Sequence, residues 1–133
     1  MENKLSRYKA REQGFLLVFE TMFNEDPLDD IIDAALESRE IEFDDYAVKL
    51  AESVIFEQDY IDNVIEAHLK KGWTIGRISK TSLAILRIAV YEMKFEEGVP
   101  DSVAINEAVE LAKKYTVDES GFINGVLGAV ARE

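Results

Sequence analysis

Apolar side chains recur along the first half of the chain with the spacing of amphipathic helices. After Asp26 and Pro27, which are typical of an N-cap and a first helical position, apolar residues follow three or four positions apart. The residues of this stripe are Leu28, Ile31, Ile32, Ala35 and Leu36. Similar spacing continues over residues 43–55 and 61–69. Together with an N-terminal helix, the pattern predicts four helices in the first half.

The second half begins with a segment, residues 80–95, that is apolar on most sides. A helix of this kind is buried all round, so we expect it at the centre of the core. Residues 101–115 form the next predicted helix, and Thr116 with Glu119 has the spacing of a capping box that would begin a last helix. The apolar stripe of that last helix is Phe122, Ile123, Val126, Leu127 and Val130.

The predicted fold is all-α with about seven helices, because no segment alternates polar and apolar residues with the period of a strand. A chain of 133 residues is expected to form a single domain. Short predicted loops favour antiparallel neighbours packed as bundles, with a boundary near residues 70–78.

Composition narrows the possible functions. The chain has no cysteine and a single histidine, His68, which excludes thiolate catalysis and zinc–cysteine sites. No glycine-rich phosphate loop and no set of nucleophile, acid and base can be assembled, so we predict no enzyme and neither a cofactor nor a metal. Neither a signal peptide nor a long uncharged apolar run is found, which predicts a soluble cytoplasmic protein with no membrane contact.

The formal net charge of −12 is distributed unevenly along the chain. Residues 1–11 carry four basic residues and one acidic residue, whereas residues 12–69 carry two basic and 17 acidic residues. Residues 70–95 are again basic, and residues 96–133 are acidic. Surfaces of opposite sign attract different partners, so the pattern is compatible with two kinds of binding surface.

The N-terminal helix carries a predicted cationic ridge. On a helical wheel three basic residues fall within about 60° of one another, namely Lys4, Arg7 and Arg11. Gly14 continues the same face, whereas Lys9 points away. Three cations in a row beside a glycine suit the phosphates of a single nucleic-acid strand. The alternative is an exposed helix face that happens to be basic.

Three segments of the second half carry a specific pattern. They are LAILRIAVYEM from Leu83, VPDSVAINEAVELAKKY from Val99 and SGFINGVLGAV from Ser120. In this order, and at nearly this spacing, they resemble the NusB family of bacterial transcription antitermination factors. The N-terminal SRYKARE is similar to the arginine-rich opening of that family. The resemblance spans essentially the whole chain, although residues 24–60 match only in helical pattern.

The resemblance implies two small antiparallel helical bundles, about residues 1–72 and 73–133, within a single RNA-binding domain. It also implies binding of the single-stranded boxA element of ribosomal RNA transcripts together with NusE, a ribosomal protein of the small subunit. In that family the pair joins NusA and NusG on RNA polymerase and suppresses termination, without catalysis. A protein-interaction adaptor without RNA binding is the alternative.

The resemblance also implies an RNA site. The basic opening of the family matches Arg7, Lys9 and Arg11, and two aromatic positions match Phe19 and Phe122. With Lys4 of the ridge, the expected RNA-binding residues are Lys4, Arg7, Lys9, Arg11, Phe19 and Phe122. For Phe19 core packing is favoured over base stacking, and for Phe122 both interpretations are open.

A second surface is expected to contact NusE within residues 61–98, which are separate from the ridge and include apolar residues outside a clear helical stripe. The candidates are Trp73, Ile75 and Ile78. Tyr8 and Gly121 stand where relatives commonly carry a basic residue, so RNA affinity without NusE is expected to be low. Composition does not distinguish a monomer from a homodimer.

Overall fold

The computed structural model describes residues 5–24, 26–39 and 42–133. Over these residues the fold is all-α, as the sequence predicts, with seven helices and no strand. The helices are α1 (Arg7–Thr21), α2 (Leu28–Arg39), α3 (Asp45–Phe56), α4 (Gln58–Ala67), α5 (Lys80–Phe95), α6 (Asp101–Tyr115) and α7 (Ser120–Arg132). A 3₁₀ turn, Ile75–Arg77, lies in the loop between α4 and α5.

Helix α5 lies at the centre of the fold and contacts α1, α3, α4, α6 and α7. Residues 82–92 are all buried, which confirms the expectation from their apolar character. These five helices are therefore positioned by their packing on α5, whereas α2 packs on α1. The division into sub-bundles between residues 72 and 73 stays a prediction.

Close packing of α1 on α3 depends on Gly14. A Cβ at this position would lie 3.3 Å from the carbonyl oxygen of Ala47 and 3.3 Å from the Cβ of Leu50. Gly14 is buried between the two helices. The prediction that it leaves room for nucleic acid on the cationic face is therefore wrong.

The predicted capping box at the start of α7 does not form. Thr116 Oγ1 donates instead to the carbonyl oxygen of Ala112, 2.7 Å away, at the end of α6. The Glu119 carboxylate accepts hydrogen bonds from the hydroxyls of Ser79, at 2.8 Å, and Ser82. A tertiary contact thus replaces the local cap and fixes the start of α7 against the start of α5.

A buried ion pair joins α1 to α5. Arg11 Nε lies 2.9 Å from each carboxylate oxygen of Glu92, a residue that is 1% exposed. Tyr46 donates its hydroxyl to Glu92 Oε2 at 2.5 Å, and Arg11 Nη1 lies 3.6 Å from Glu107 Oε1. Burial and the bond to Glu92 raise the pKa of Tyr46, so its hydroxyl remains a donor. Because a buried charge without a partner is strongly unfavourable, Arg11 supports the packing of α1 on α5.

Candidate nucleic-acid interface

Two predicted RNA-binding cations of α1 face water. Arg7 is exposed, and its guanidinium carbon lies 3.8 Å from the ring centroid of Tyr46. The Lys9 side chain is 58% exposed, with Nζ 3.8 Å from Glu12 Oε1. Lys4, the third predicted cation near the start of the chain, lies outside the described residues. Arg7 and Lys9 are thus available to a ligand.

Arg11 does not belong to this exposed surface. Its side chain is 6% exposed and its charge is paired with Glu92. The helical wheel puts Arg7 and Arg11 on one side of α1, but α5 covers that side at Arg11. The prediction of an exposed ridge that includes Arg11 is therefore wrong, and the geometry favours a supporting role for this residue.

Glu12 joins the middle of α1 to the end of α6. Its carboxylate accepts hydrogen bonds from Lys114 Nζ and, at 2.6 Å, from the Tyr115 hydroxyl. Burial raises the pKa of the Glu12 carboxyl, but these bonds outweigh burial and hold the pKa below its usual range. The bond to Glu12 raises the pKa of Lys114, whose Nζ lies 5.4 Å from the ring centroid of Tyr115. A cation and an aromatic ring thus stand together at the end of α6.

Phe19 lies in a row of three aromatic rings, of which Phe15 and Phe19 are on α1 and Phe23 follows its C-terminal end. Its ring centroid is 6.0 Å from that of Phe15 and 4.9 Å from that of Phe23. Phe15 is buried, Phe19 is partly buried against the core and Phe23 is 59% exposed, so the row runs from the core to the surface. Lys80 Nζ, at the start of α5, lies 5.7 Å from the Phe23 centroid. The ring of this row that is open to a base is Phe23.

Trp73 and Phe122 form a second aromatic group, which joins the loop before α5 to the start of α7. Their ring centroids are 5.8 Å apart and their planes are inclined by 37°. The guanidinium carbon of Arg77 lies 5.1 Å from the Trp73 centroid. Trp73 is 42% exposed, and Phe122 is partly buried against the core. A predicted RNA residue and a predicted NusE residue therefore share one surface.

Of the three predicted NusE contacts, only Trp73 exposes a large part of its side chain. Ile78 is 8% exposed and belongs to the hydrophobic core, and Ile75 is partly buried against the same core. The loop carries these two side chains inward although its sequence lacks helical periodicity. The expectation of a surface contact at Ile78 is therefore wrong.

Contacts between α1, α5, α6 and α7 connect these cations and rings. We call the set the cationic–aromatic strip, and its members are Lys9, Phe23, Trp73, Arg77, Lys80, Lys114, Tyr115 and Phe122. Arg7 is not a member, because it lies over Tyr46 of α3, whereas Lys9 lies beside Glu12 and Lys114 on another side of α1. The sequence predictions missed Phe23 and four residues of other elements, namely Arg77, Lys80, Lys114 and Tyr115. The signal that could have found some of them is adjacency of a basic residue and an aromatic, as in Lys114 with Tyr115.

Within residues 5–24, 26–39 and 42–133, no group of three or more histidine and acidic side chains is placed to hold a metal ion. In the same ranges no helix combines the length and the apolar character that crossing a bilayer requires.

Comparison with known proteins agrees with the fold and with the resemblance in sequence. The model of the NusB family matches residues 8–132. This chain belongs to the NusB family. The transcription antitermination protein NusB of Acetivibrio thermocellus is 42% identical over 131 residues, which cover 96% of this chain and 90% of that protein. The NusB protein of Listeria monocytogenes serotype 4a is 41% identical over 130 residues, covering 97% and 98% of the two chains.

Solved NusB structures are also similar to this chain. T. maritima NusB has a TM-score of 0.84 at 30% identity, and the match covers 98% of this chain and 94% of that one. A crystal structure of the antitermination factors NusB and NusE in complex with double-stranded RNA contains a chain with a TM-score of 0.80 at 28% identity. That match covers 96% of this chain and 98% of the other.

Proposed function

We propose that this NusB-family chain binds single-stranded boxA RNA of ribosomal RNA transcripts together with NusE, and that it thereby suppresses transcription termination. The observation that carries the RNA part of the proposal is the cationic–aromatic strip. Family membership and the similarity to a NusB–NusE–RNA complex support the choice of partners. In this proposal the assembly also includes NusA, NusG and RNA polymerase, and the chain performs no catalysis.

The strip has the two properties that binding of an unpaired strand requires. Three of its cations stand within 6 Å of an aromatic ring centroid, as Lys80 does with Phe23 and Arg77 does with Trp73. Basic groups follow the phosphates, and aromatic rings stack on bases of any sequence. Because the bases of a duplex are already stacked on one another, such rings favour single strands.

The structure changes which predicted residues the proposal includes. Arg7 and Lys9 are kept as phosphate contacts, since both are exposed, and Phe122 is kept as a ring of the strip. Arg11 is assigned a positioning role, because its guanidinium is bonded to Glu92. Phe19 acts mainly by supporting its more exposed neighbours, and Lys4 stays a prediction.

For NusE we keep the proposed contact within residues 61–98. Helix α4 offers an exposed polar face there, with Asn63 and Glu66 in solvent, and the exposed Asp59 extends this face by one turn beyond that range. Crosslinking of the complex, followed by mapping of the linked residues, tests this assignment. Crosslinks confined to residues 26–56 would contradict it.

A protein-interaction adaptor without RNA binding is the second candidate. It is favoured by aromatic rings in solvent away from the strip, since Phe56 is 85% exposed and Tyr60 stacks edge-on against Phe95 at 5.6 Å. Exposed apolar groups of this size commonly mark interaction sites.

Titration of fluorescent boxA RNA with the chain, alone and with NusE, distinguishes the two candidates. Saturable binding that NusE strengthens is expected for the antitermination factor. Tight binding of NusE without any RNA binding, in either sample, would support the adaptor and contradict the main proposal. Analytical ultracentrifugation of the same samples determines whether the chain acts as a monomer or a homodimer.

A further inference from the structure

A cavity of about 530 Å³ lies between α7 and the segment that follows α4. This volume is in the range of sites for small organic molecules, about 300–1,000 Å³. Most of the surface that lines it is apolar. The main lining residues are His68, Lys70, Trp73, Phe122, Gly125 and Ala129.

The shape of the cavity follows from small residues on α7. Gly121, Gly125 and Ala129 lie one turn apart and form one wall. A Cβ at Gly121 or at Gly125 would meet no atom within 4 Å. These glycines therefore border open space, and neither is needed for close packing of α7 on another element. Trp73 lines the cavity from the loop that follows α4, and Phe122 lines it from α7 beside the glycines. A planar ring can therefore lie between an aromatic surface and the flat backbone surface of a helix.

Among the lining residues of the cavity, His68 and Lys70 carry polar side-chain groups. His68 Nδ1 lies 2.7 Å from the carbonyl oxygen of Val64, so this nitrogen carries a proton and donates. His68 Nε2 lies 3.4 Å from Glu133 Oε2. A mostly apolar cavity with a few hydrogen-bonding groups matches a heteroaromatic base, which has apolar faces and a polar edge.

The charge around the cavity favours an anionic ligand. The loop of residues 69–80 contains four basic residues and no acidic one, and residues 120–131 contain no charged residue at all. Three acidic residues lie near the cavity. Glu119 is bonded to the hydroxyls of Ser79 and Ser82, Glu133 is paired with His68 and Lys94, and Asp118 lines the adjoining pocket that Trp73 and Phe122 share. Phosphates next to a bound base would therefore meet Lys70 and the neighbouring cations of the loop.

We propose that this cavity takes one unpaired base of a bound single-stranded RNA, stacked on the indole of Trp73. The inference rests on the proposed function and adds a base-binding subsite to it. It also assigns Trp73 to RNA, although the sequence alone suggested a contact with NusE. The basic loop and the continuity with the cationic–aromatic strip favour RNA over a protein side chain as the occupant.

The decisive variant is Gly125→Leu, which fills the cavity from the α7 wall. Leucine is a better helix former than glycine and the position is open, so the fold should be at least as stable as in the parent. Ala131→Leu is the matched control, because it adds apolar bulk to an exposed position of the same helix outside the cavity. Trp73→Ala removes the proposed stacking surface directly.

The assay is fluorescence anisotropy of labelled boxA RNA with the chain and NusE, using RNAs in which one nucleotide at a time is abasic. For the parent, one abasic position should weaken binding by roughly 5- to 150-fold, the range covered by stacking of one base. Gly125→Leu and Trp73→Ala should each weaken binding of the intact RNA to a similar extent. For these variants the abasic RNA should bind no more weakly than the intact RNA. Ala131→Leu should bind and respond as the parent does.

Tryptophan fluorescence gives an independent readout, because Trp73 is the only tryptophan of the chain. Its emission should be quenched by RNA in the parent, along the same titration curve as the anisotropy, and by much less in Gly125→Leu. Thermal unfolding of each variant checks that the fold is retained.

The possible outcomes separate this subsite from the proposed function. If the parent binds RNA but Gly125→Leu binds equally well, the subsite is refuted while the RNA-binding function stands. If Gly125→Leu weakens NusE binding and leaves RNA binding unchanged, the cavity takes a protein side chain and the proposal is overturned. If the parent binds no RNA in either sample, the proposed function and the subsite both fail.

Discussion

Replacement of Arg11 by alanine should unfold the protein more easily without removing a direct RNA contact. In the parent, Arg11 Nε bonds both oxygens of Glu92, and the two residues are 5% and 1% exposed. Removal of one partner of such a pair leaves an uncompensated buried charge and costs about 3–5 kcal/mol. With an unfolding entropy of about 2.1 cal/mol/K per residue, this corresponds to a melting temperature lower by about 10–18 °C.

Calorimetry or thermal circular dichroism measures this change, and Arg7→Ala provides the matched control. Arg7 is exposed and lies on the same helix, so its loss should lower stability by less than about 1 kcal/mol. Addition of Glu92→Gln to the Arg11→Ala variant should restore part of the stability, because the amide removes the unpaired charge. At a temperature where Arg11→Ala is folded, its RNA affinity should be close to that of the parent.

The opposite pattern would refute this reasoning. If Arg11→Ala melts like the parent but loses RNA binding, the guanidinium contacts RNA and the ion pair with Glu92 contributes little to stability. If Arg7→Ala lowers the melting temperature more than Arg11→Ala does, then Arg7 supports the fold and Arg11 does not, which reverses the roles that we assign to them.

Three further predictions address the strip and its support. Glu12→Gln should make the stability of the protein less dependent on pH in the acidic range. A carboxyl whose folded-state pKa is lowered from 4.5 contributes stability above its unfolded pKa, and this contribution is lost as the pH falls through the folded pKa. Unfolding of the parent and the variant, followed from about pH 3 to about pH 7, measures the difference. Gly14→Ala should lower stability by about 1 kcal/mol in urea unfolding, since its Cβ would lie 3.3 Å from Leu50. Arg7→Ala should weaken binding to all single strands and flatten the dependence of log K on log salt by roughly 0.7, whereas Phe122→Ala should lower affinity by about 1–3 kcal/mol with an unchanged slope. Equal salt slopes for the parent and Arg7→Ala, or unfolding of Phe122→Ala at the assay temperature, would contradict this pair of expectations.

The helices were predictable because their signal is local. The apolar stripe of residues 80–95 indicates a helix and, by its width, a central position, and both follow from periodicity within one segment. The last helix follows in the same way from residues 122–130. The predicted capping box of Thr116 and Glu119 was wrong although its spacing was right. The hydroxyls of Ser79, just before α5, and of Ser82, in its first turn, bind the Glu119 carboxylate instead.

The site was less predictable because its residues come from four helices and from the loop between α4 and α5. A helical wheel groups Arg7 with Arg11, but burial of Arg11 depends on Glu92, which is 81 positions away in the sequence. The contact of Trp73 with Phe122 likewise joins a loop to a helix start 49 positions later. Periodicity describes one face of one helix, and it contains no information on which other element covers that face.

The strongly acidic exterior restricts what the strip can bind. The exposed face of α2 carries four of these charges, on Asp29, Asp30, Asp33 and Glu37. Salt screens the net charge of −12 beyond about 8–10 Å, so the acidic surface repels a polyanion mainly where the strand passes within that distance of it. A duplex would gain only a few phosphate contacts against this repulsion, since its base faces are already stacked. An unpaired strand gains the same phosphate contacts and, in addition, the stacking of its bases on exposed rings. If the strip binds RNA as proposed, the acidic surface lowers the affinity for single strands and for duplexes, and it increases the preference for single strands.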